Sequence, residues 1–300
     1  MPFLTRLFLI SSILLLNLPS SAFAGEKWQD VKSWVYQLTD YTDDKLDEIA
    51  DAPFDLAVID LARDGSDDYF TKSEIKMVKS NGKIVLAYFE IGAIEDYRPE
   101  WDSVPADLKA GEVDGWPKEQ YVKFWDQRWW TVIQGRIDQA IAAGFDGAYL
   151  DLITAYEEIP HNGTSSEDMA QRMVSLIDKI SRYAKKKQAG FKIVPQNCPE
   201  LYTWSYWSGK PNLKYLNAID GLGLESVFFI AHDKPSKADW CIENRNNAIA
   251  LQKAGKLILA VDYAKKTKNI ISSYQQLQAI KFIPYVSVRD LDRVCKPPTK

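Results

Sequence analysis

Apolar residues along this chain fall into short, nearly unbroken runs, and between the runs they recur at helical spacing. Eight such runs stand out: Trp34 to Leu38, Leu56 to Asp60, Ile84 to Glu90, Ala148 to Asp151, Lys192 to Asn197, Leu222 to Val227, Leu257 to Asp262 and Phe282 to Val288. Short apolar runs bounded by Gly and polar stops suit parallel strands buried on both faces. Pro195 fits the fifth run only if it sits at the strand's rim. The intervening segments read as helices. One passes through Leu46, Ile49 and Ala50, and a second spans Thr71 to Ser80 and stops at Asn81-Gly82. Others span Phe124 to Ala143, open at Ser166 and carry Met169, Met173, Leu176, Ile177 and Ile180, run through Ala248, Ile249 and Leu251 to Gly255, or span Ser273 to Ile280. Strict strand–helix alternation predicts a parallel sheet, and eight units predict an α/β fold closed into a single (β/α)8 TIM barrel over residues 25–300. A doubly wound open sheet is the competing topology, but no Gly-rich phosphate loop follows any run. One connection, Gly92 to Gly115, is long enough to be functional and carries Glu95, Tyr97, Arg98 and Trp101, with Trp116 just beyond.

Five of the runs carry a carboxylate at or near their C-terminal end: Asp60, Glu90, Asp151, Glu225 and Asp262. In a (β/α)8 barrel those ends form the face where active sites lie. Any one of them could be a helix cap or an ion-pair partner. Several acids converging on one mouth are harder to explain structurally, because like charges in a partly buried pocket raise one another's pKa.

The first residues differ from the rest. Arg6 precedes the apolar run Leu7 to Leu18, and Ala22-Phe23-Ala24 offers small residues for cleavage, the pattern of a signal peptide over residues 1–24. The run is too short for a membrane span. The mature chain is therefore expected to be secreted or periplasmic, with no membrane anchor after cleavage. In an oxidising compartment Cys198, Cys241 and Cys295 could pair, with Cys198 to Cys241 the preferred bridge. A net charge of −4 argues against nucleic acid as a partner. Oligomeric state is not encoded in any feature of the sequence.

The chemistry narrows by residue type. The two histidines, His161 and His232, lie in polar, loop-like sequence away from any nucleophile-elbow motif, and neither they nor the cysteines have metal-ligand spacing. No metal or organic cofactor is implied. Carboxylates remain, and a pair of them, one acid and one nucleophile or base, is the arrangement of glycoside hydrolysis. Tyr36, Tyr88, Trp101, Trp116, Tyr156, Trp204, Trp207, Phe228 and Tyr263 fall at strand ends or in the loops after them, where flat rings could stack on sugars, and about half are expected to touch ligand. A carbohydrate-binding barrel without turnover and a structural envelope protein are the two rival readings.

The blocks Trp34-Val35-Tyr36-Gln37-Leu38, Val58-Ile59-Asp60, Ala87-Tyr88 through Glu95-Asp96-Tyr97-Arg98, Gly144-Phe145-Asp146-Gly147 to Leu150-Asp151, Pro195-Gln196-Asn197, Glu225, Val261-Asp262-Tyr263-Ala264 and Arg289-Asp290-Leu291-Asp292 together resemble glycoside hydrolase family 114, the endo-α-1,4-polygalactosaminidase-like secreted proteins. The resemblance spans the mature chain and implies a (β/α)8 barrel that cuts an α-1,4-linked galactosamine polymer internally. It implies Asp151 as catalytic nucleophile or base and Glu225 as acid, with Asp60, Tyr88, Arg98 and Asp262 shaping subsites. Tyr36, Asn197 and Tyr263 are the further substrate-binding candidates. Glu90 departs from the small polar residue expected after Tyr88 and is expected to add negative charge near the site. A similar family of barrels acts within exopolysaccharide machinery, so the natural amino-sugar polymer is left open.

Overall fold

The computed structural model describes residues 27–42, 45–203 and 209–298. The expected signal peptide, Trp204 and Trp207 lie outside the described residues. Eight parallel strands follow the chain in order: β1 (Trp34–Tyr36), β2 (Leu56–Asp60), β3 (Ile84–Glu90), β4 (Gly147–Asp151), β5 (Lys192–Pro195), β6 (Gly221–Glu225), β7 (Leu257–Tyr263) and β8 (Ile283–Ser287). They form two arcs, β1-β2-β3-β4-β5 and β6-β7-β8. A parallel bridge between Gln196 and Gly223 joins β5 to β6. The β8–β1 seam is held by side chains, with the Trp34 indole donating to the Ile283 carbonyl at 3.0 Å. Helices flank the strands, the longest being Gln127–Ala143 and Ser166–Lys187.

Local chemistry explains most boundaries. The helix expected from Thr71 to Ser80 spans Lys72–Val78, because Thr71 is its N-cap and closes a capping box with Glu74. The helix expected from Phe124 starts at Gln127, since the Asp126 carboxylate caps it, and its last residue is followed by Gly144 at φ +93°. Pro195 is the last residue of β5, where its missing N–H costs no ladder bond.

The interior is packed by aromatic rings from opposite strands. Trp34 stacks on Tyr36 with centroids 5.6 Å apart, and Tyr36 meets Tyr149 at 5.3 Å. Gly223 on β6 makes room for this: a Cβ there would lie 1.9 Å from the Tyr149 hydroxyl. Large rings on one side of the barrel are thus matched by bare backbone on the other.

Two expectations are corrected here. The segment after β3 is not a plain loop. Ala93–Glu95, Trp116–Val122 and Lys109–Val113 form a three-stranded antiparallel flap, with a short 3-10 turn at Ala106–Leu108 between Ala93–Glu95 and Lys109–Val113. The cysteines are free thiols, Cys198 and Cys241 both buried, so the Cys198–Cys241 bridge is absent. Spacing along the chain does not set the Cα separation and Cβ directions that a bridge requires.

Candidate active site

The C-terminal strand ends and the flap enclose a cleft of about 750 Å³. Asp151, the last residue of β4, and Glu225, the last residue of β6, both line it and both are half-buried. Each is held by two donors. Asp151 Oδ2 accepts from the Tyr88 hydroxyl at 2.7 Å, and Oδ1 accepts from the Leu152 N–H at 2.7 Å. That N–H turns back on the preceding carboxylate because Leu152 adopts φ +54°. Glu225 Oε1 accepts from the Tyr263 hydroxyl, and Oε2 has only a long 3.3 Å contact from Asn197 Nδ2. Asn197 also accepts from the Glu225 N–H at 3.1 Å, which fixes the acid's backbone.

Burial, followed by the charge of Glu225, pushes the Asp151 carboxyl up to about 7. A negative charge on Glu225 beside a buried carboxyl makes the Asp151 anion costly. Burial and the neighbouring carboxylates raise Tyr88 and Tyr263 well above their ordinary values, which keeps both hydroxyls protonated as donors.

The other expected site residues divide into two groups. Tyr36, Asp60, Tyr88 and Tyr263 line the cleft, Tyr36 donating its hydroxyl proton to Gln196 Oε1 at 2.9 Å. Glu90, Arg98, Asn197 and Asp262 do not line it. Arg98 is buried beneath the flap, bidentate to Asp60 at 2.9 and 3.0 Å, and it also bonds Glu90 at 2.7 Å and Glu95 at 2.6 Å. Glu90 is fully buried and bonds Arg136 at 3.0 Å as well. Burial alone would raise its pKa, but Arg98 and Arg136 outweigh that and hold it down to about 2. Its charge is therefore spent inside an ion network that anchors the flap, instead of facing substrate.

Asp262 is a correction with a simple geometric cause. Side chains alternate across a strand, and Tyr263 points into the barrel mouth, so Asp262 points outward. There it accepts from the Phe228 and Phe229 N–H groups and from the Ser273 hydroxyl at 2.6 Å. Among the ring candidates, Trp116 also lines the cleft, whereas Trp101, Tyr156 and Phe228 do not. Tyr156 is buried and bonds Glu200 at 2.6 Å, Lys109 sits over Trp101, and Arg245 over Phe228.

Glu119 and Tyr121 of the flap line the cleft and were not among the expected site residues. Their i, i+2 spacing within a polar stretch is the signal that a strand turns one face toward the mouth. Acidic side chains far outnumber the two arginines, Arg63 and Arg289, on the cleft wall. At the flap tip Trp116 lies 5.3 Å under the Arg289 guanidinium and reaches across the cleft.

Eight parallel strands, with two acids drawn from the ends of separate strands into one groove, define a TIM-barrel glycosidase. The family is specific: residues 18–299 match the glycoside-hydrolase family GH114, and the chain belongs to that family. A protein of Deinococcus radiodurans is 31% identical over 270 residues, covering 88% of this chain and 82% of that protein. Among solved structures, Aspergillus fumigatus Ega3, crystallised with galactosamine, superposes with a TM-score of 0.68 at 16% identity, covering 89% of this chain and 96% of that one. The glycoside hydrolase domain of Pseudomonas aeruginosa PelA gives a TM-score of 0.68 at 17% identity, covering 87% of this chain and 96% of that one. At such identities these two structures share the fold. Among the described residues no helix is long and apolar enough to cross a membrane.

Proposed function

We propose that this protein is a secreted or periplasmic glycosidase that cuts an α-1,4-linked galactosamine or N-acetylgalactosamine polymer at internal linkages, using Asp151 and Glu225 and no metal or organic cofactor. The observation that carries the reading is the pairing of those two carboxyls in one cleft, with Asp151 raised to about 7 by burial and by its partner. The galactosamine bound to the similar Ega3 supports the sugar class, and an acidic wall suits a polymer bearing free amines.

Roles follow from the donors. Asp151 carries the raised pKa, which taken alone would make it the acid. Both of its oxygens, however, accept short hydrogen bonds at 2.7 Å, one from a backbone N–H that cannot rotate away. Glu225 Oε2 is the oxygen least occupied, with only the 3.3 Å contact from Asn197, and it is the one placed to deliver a proton to the glycosidic oxygen. Asp151, left anionic, then attacks or stabilises the anomeric carbon, or activates water. Tyr36, Asp60, Tyr88 and Tyr263 shape the subsites, while Arg98, Glu90 and Asn197 position groups that do.

A binding barrel without turnover would have no use for two carboxyls paired in one cleft, and a structural envelope protein would have no use for an open acidic groove. The deciding experiment incubates the mature protein with defined galactosamine and N-acetylgalactosamine oligomers and identifies products by mass. Internal cleavage lost in both Asp151→Asn and Glu225→Gln is the expected result. Hydrolysis surviving in both variants refutes the assignment.

A further inference from the structure

The flap does not stand at the edge of the mouth; it crosses it. It leaves the barrel after β3, and its tip, where Val113 pairs with Trp116, meets the segment that follows β8, with the Arg289 guanidinium 5.3 Å over the Trp116 ring. On a ring of eight strands, β3 and β8 are separated by β1 and β2 on one side and by β4 to β7 on the other. A contact joining them is therefore a chord over the opening. The cleft continues on both sides of that chord. Thr39, Asp40 and Asp64, after β1 and β2, line it on one side, and Leu152, Ser226 and Ala231, after β4 and β6, line it on the other. Trp116 and Arg289 line the same cavity as Asp151 and Glu225. The groove is thus a short passage, roofed at one point and open at two ends.

The roof is firmly based and weakly latched. At the base, Arg98 ties Glu95 of the first flap strand to Asp60 and Glu90 through buried charge. At the tip, Trp116 is 52% exposed and Arg289 is exposed. A cation–π contact between exposed groups favours the closed form only about 2–5-fold. The middle of a long polymer has no free end to thread, so it enters only while the latch is open. Once the latch closes, the chain has no sideways exit.

Resting on the glycosidase reading above, we propose that Trp116 and Arg289 make cleavage processive. The flap opens to admit the middle of a chain, closes over it, and holds it through successive cuts. Each cut is one hydrolysis, consuming one water and breaking one glycosidic bond. The shorter piece leaves through one end of the passage, and the retained piece advances from the other.

The test counts cuts per encounter. A long α-1,4-galactosamine polymer in large molar excess over enzyme is sampled while most chains are untouched, so that each attacked chain has met one enzyme. Size-exclusion chromatography with mass detection gives the number of short oligomers released per attacked chain, a ratio independent of how fast each variant cuts. Wild type is expected to release several. Arg289→Ala and Trp116→Ala should each lower the ratio about 2–5-fold, and Arg289→Ala should add nothing once Trp116 is replaced, because the two act as one contact. A single oligomer per chain in wild type, a ratio indifferent to Arg289→Ala, or additive losses in the double variant overturns the proposal.

Enclosure is also read without turnover. In the Glu225→Gln background, Arg289→Ala should speed release of the bound polymer about 2–5-fold and leave release of a galactosamine dimer, which exits through either end, unchanged. If wild type yields no product while Arg289→Ala still speeds polymer release, the hydrolase reading fails and the roof stands. If product forms at a single oligomer per chain and polymer release is indifferent to Arg289→Ala, the reverse holds. Matching thermal melts of the variants show that intact folds are being compared.

Discussion

Replacing Glu90 by Gln tests whether this acid is part of the scaffold or part of the substrate groove. Glu90 is fully buried and bonds Arg98 at 2.7 Å and Arg136 at 3.0 Å. Glutamine keeps the shape, but one end of its amide presents N–H groups to a guanidinium. Breaking a buried pair from one side costs about 3–5 kcal/mol, because the remaining charge is stranded. Arg98 retains Asp60 and Glu95, and Arg136 retains the Glu90 backbone carbonyl and Glu100, which places the loss near the lower end. The depressed pKa of Glu90 points in the same direction. Two arginines hold that carboxyl down to about 2, so its ionised form is the one that stabilises the fold. Because the folded pKa is depressed, that stability is fully present above pH 4.5 and is lost as pH falls towards 2. At pH 7 the variant should therefore melt about 6–12 °C below wild type, and the gap should close on acidification below pH 4.5. Differential scanning calorimetry from pH 7 down to pH 3 measures both. A melting temperature within about 2 °C of wild type at pH 7, or a gap that does not narrow in acid, would refute the reasoning.

Other consequences are as direct. Asp151→Asn and Glu225→Gln should each lower kcat by about 10²–10⁴-fold with oligomer binding retained by calorimetry; a loss confined to KM would contradict their roles. Tyr88→Phe removes a hydrogen bond that favours the Asp151 anion, so the acidic limb of the kcat/KM profile should move to higher pH by about half a unit to one unit, and an unmoved limb would show that Asp151 does not set it. Trp116→Ala deletes an exposed ring at the flap tip and should raise KM for long oligomers about 5–20-fold without changing the melting temperature; steady-state kinetics against oligomer length reads this, and a kcat effect alone would count against a binding role. Affinity for a cationic polymer should fall as salt rises from 50 to 500 mM, while affinity for the acetylated polymer holds.

The barrel was legible because its strands are apolar on both faces and end in polar residues, a pattern helices seldom imitate. Asp151 and Glu225 were legible for the same reason: each is the terminal residue of its strand, so nothing beyond it hides the mouth. Asp262 shows the limit of that signal. Nearness to a strand end says nothing about parity, and counting one step to Tyr263 would have sent Asp262 outward. Glu90 failed differently. It has the right parity, pairing in register with Asp151, but the flap folds over it, and the flap could not be read from Lys109–Val113 and Trp116–Val122, which are polar and interrupted by Gly111, Gly115 and Pro117. Missing the flap meant missing Glu119 and Tyr121. The cysteines were misjudged because pairing is decided by distances no spacing encodes.

Leu152 and Ser226 directly follow the two acids, and Asn197 holds one of them; all three take left-handed backbone angles, with φ of +54°, +55° and +63°. Glycine would relax Leu152 and Ser226, where a side chain in that region costs on the order of 1–3 kcal/mol. Breeding this enzyme for heat resistance would thus be drawn to the rim of its own cleft. Each hardier descendant obtained there would hold its two acids on a looser tether, and would trade turnover for endurance.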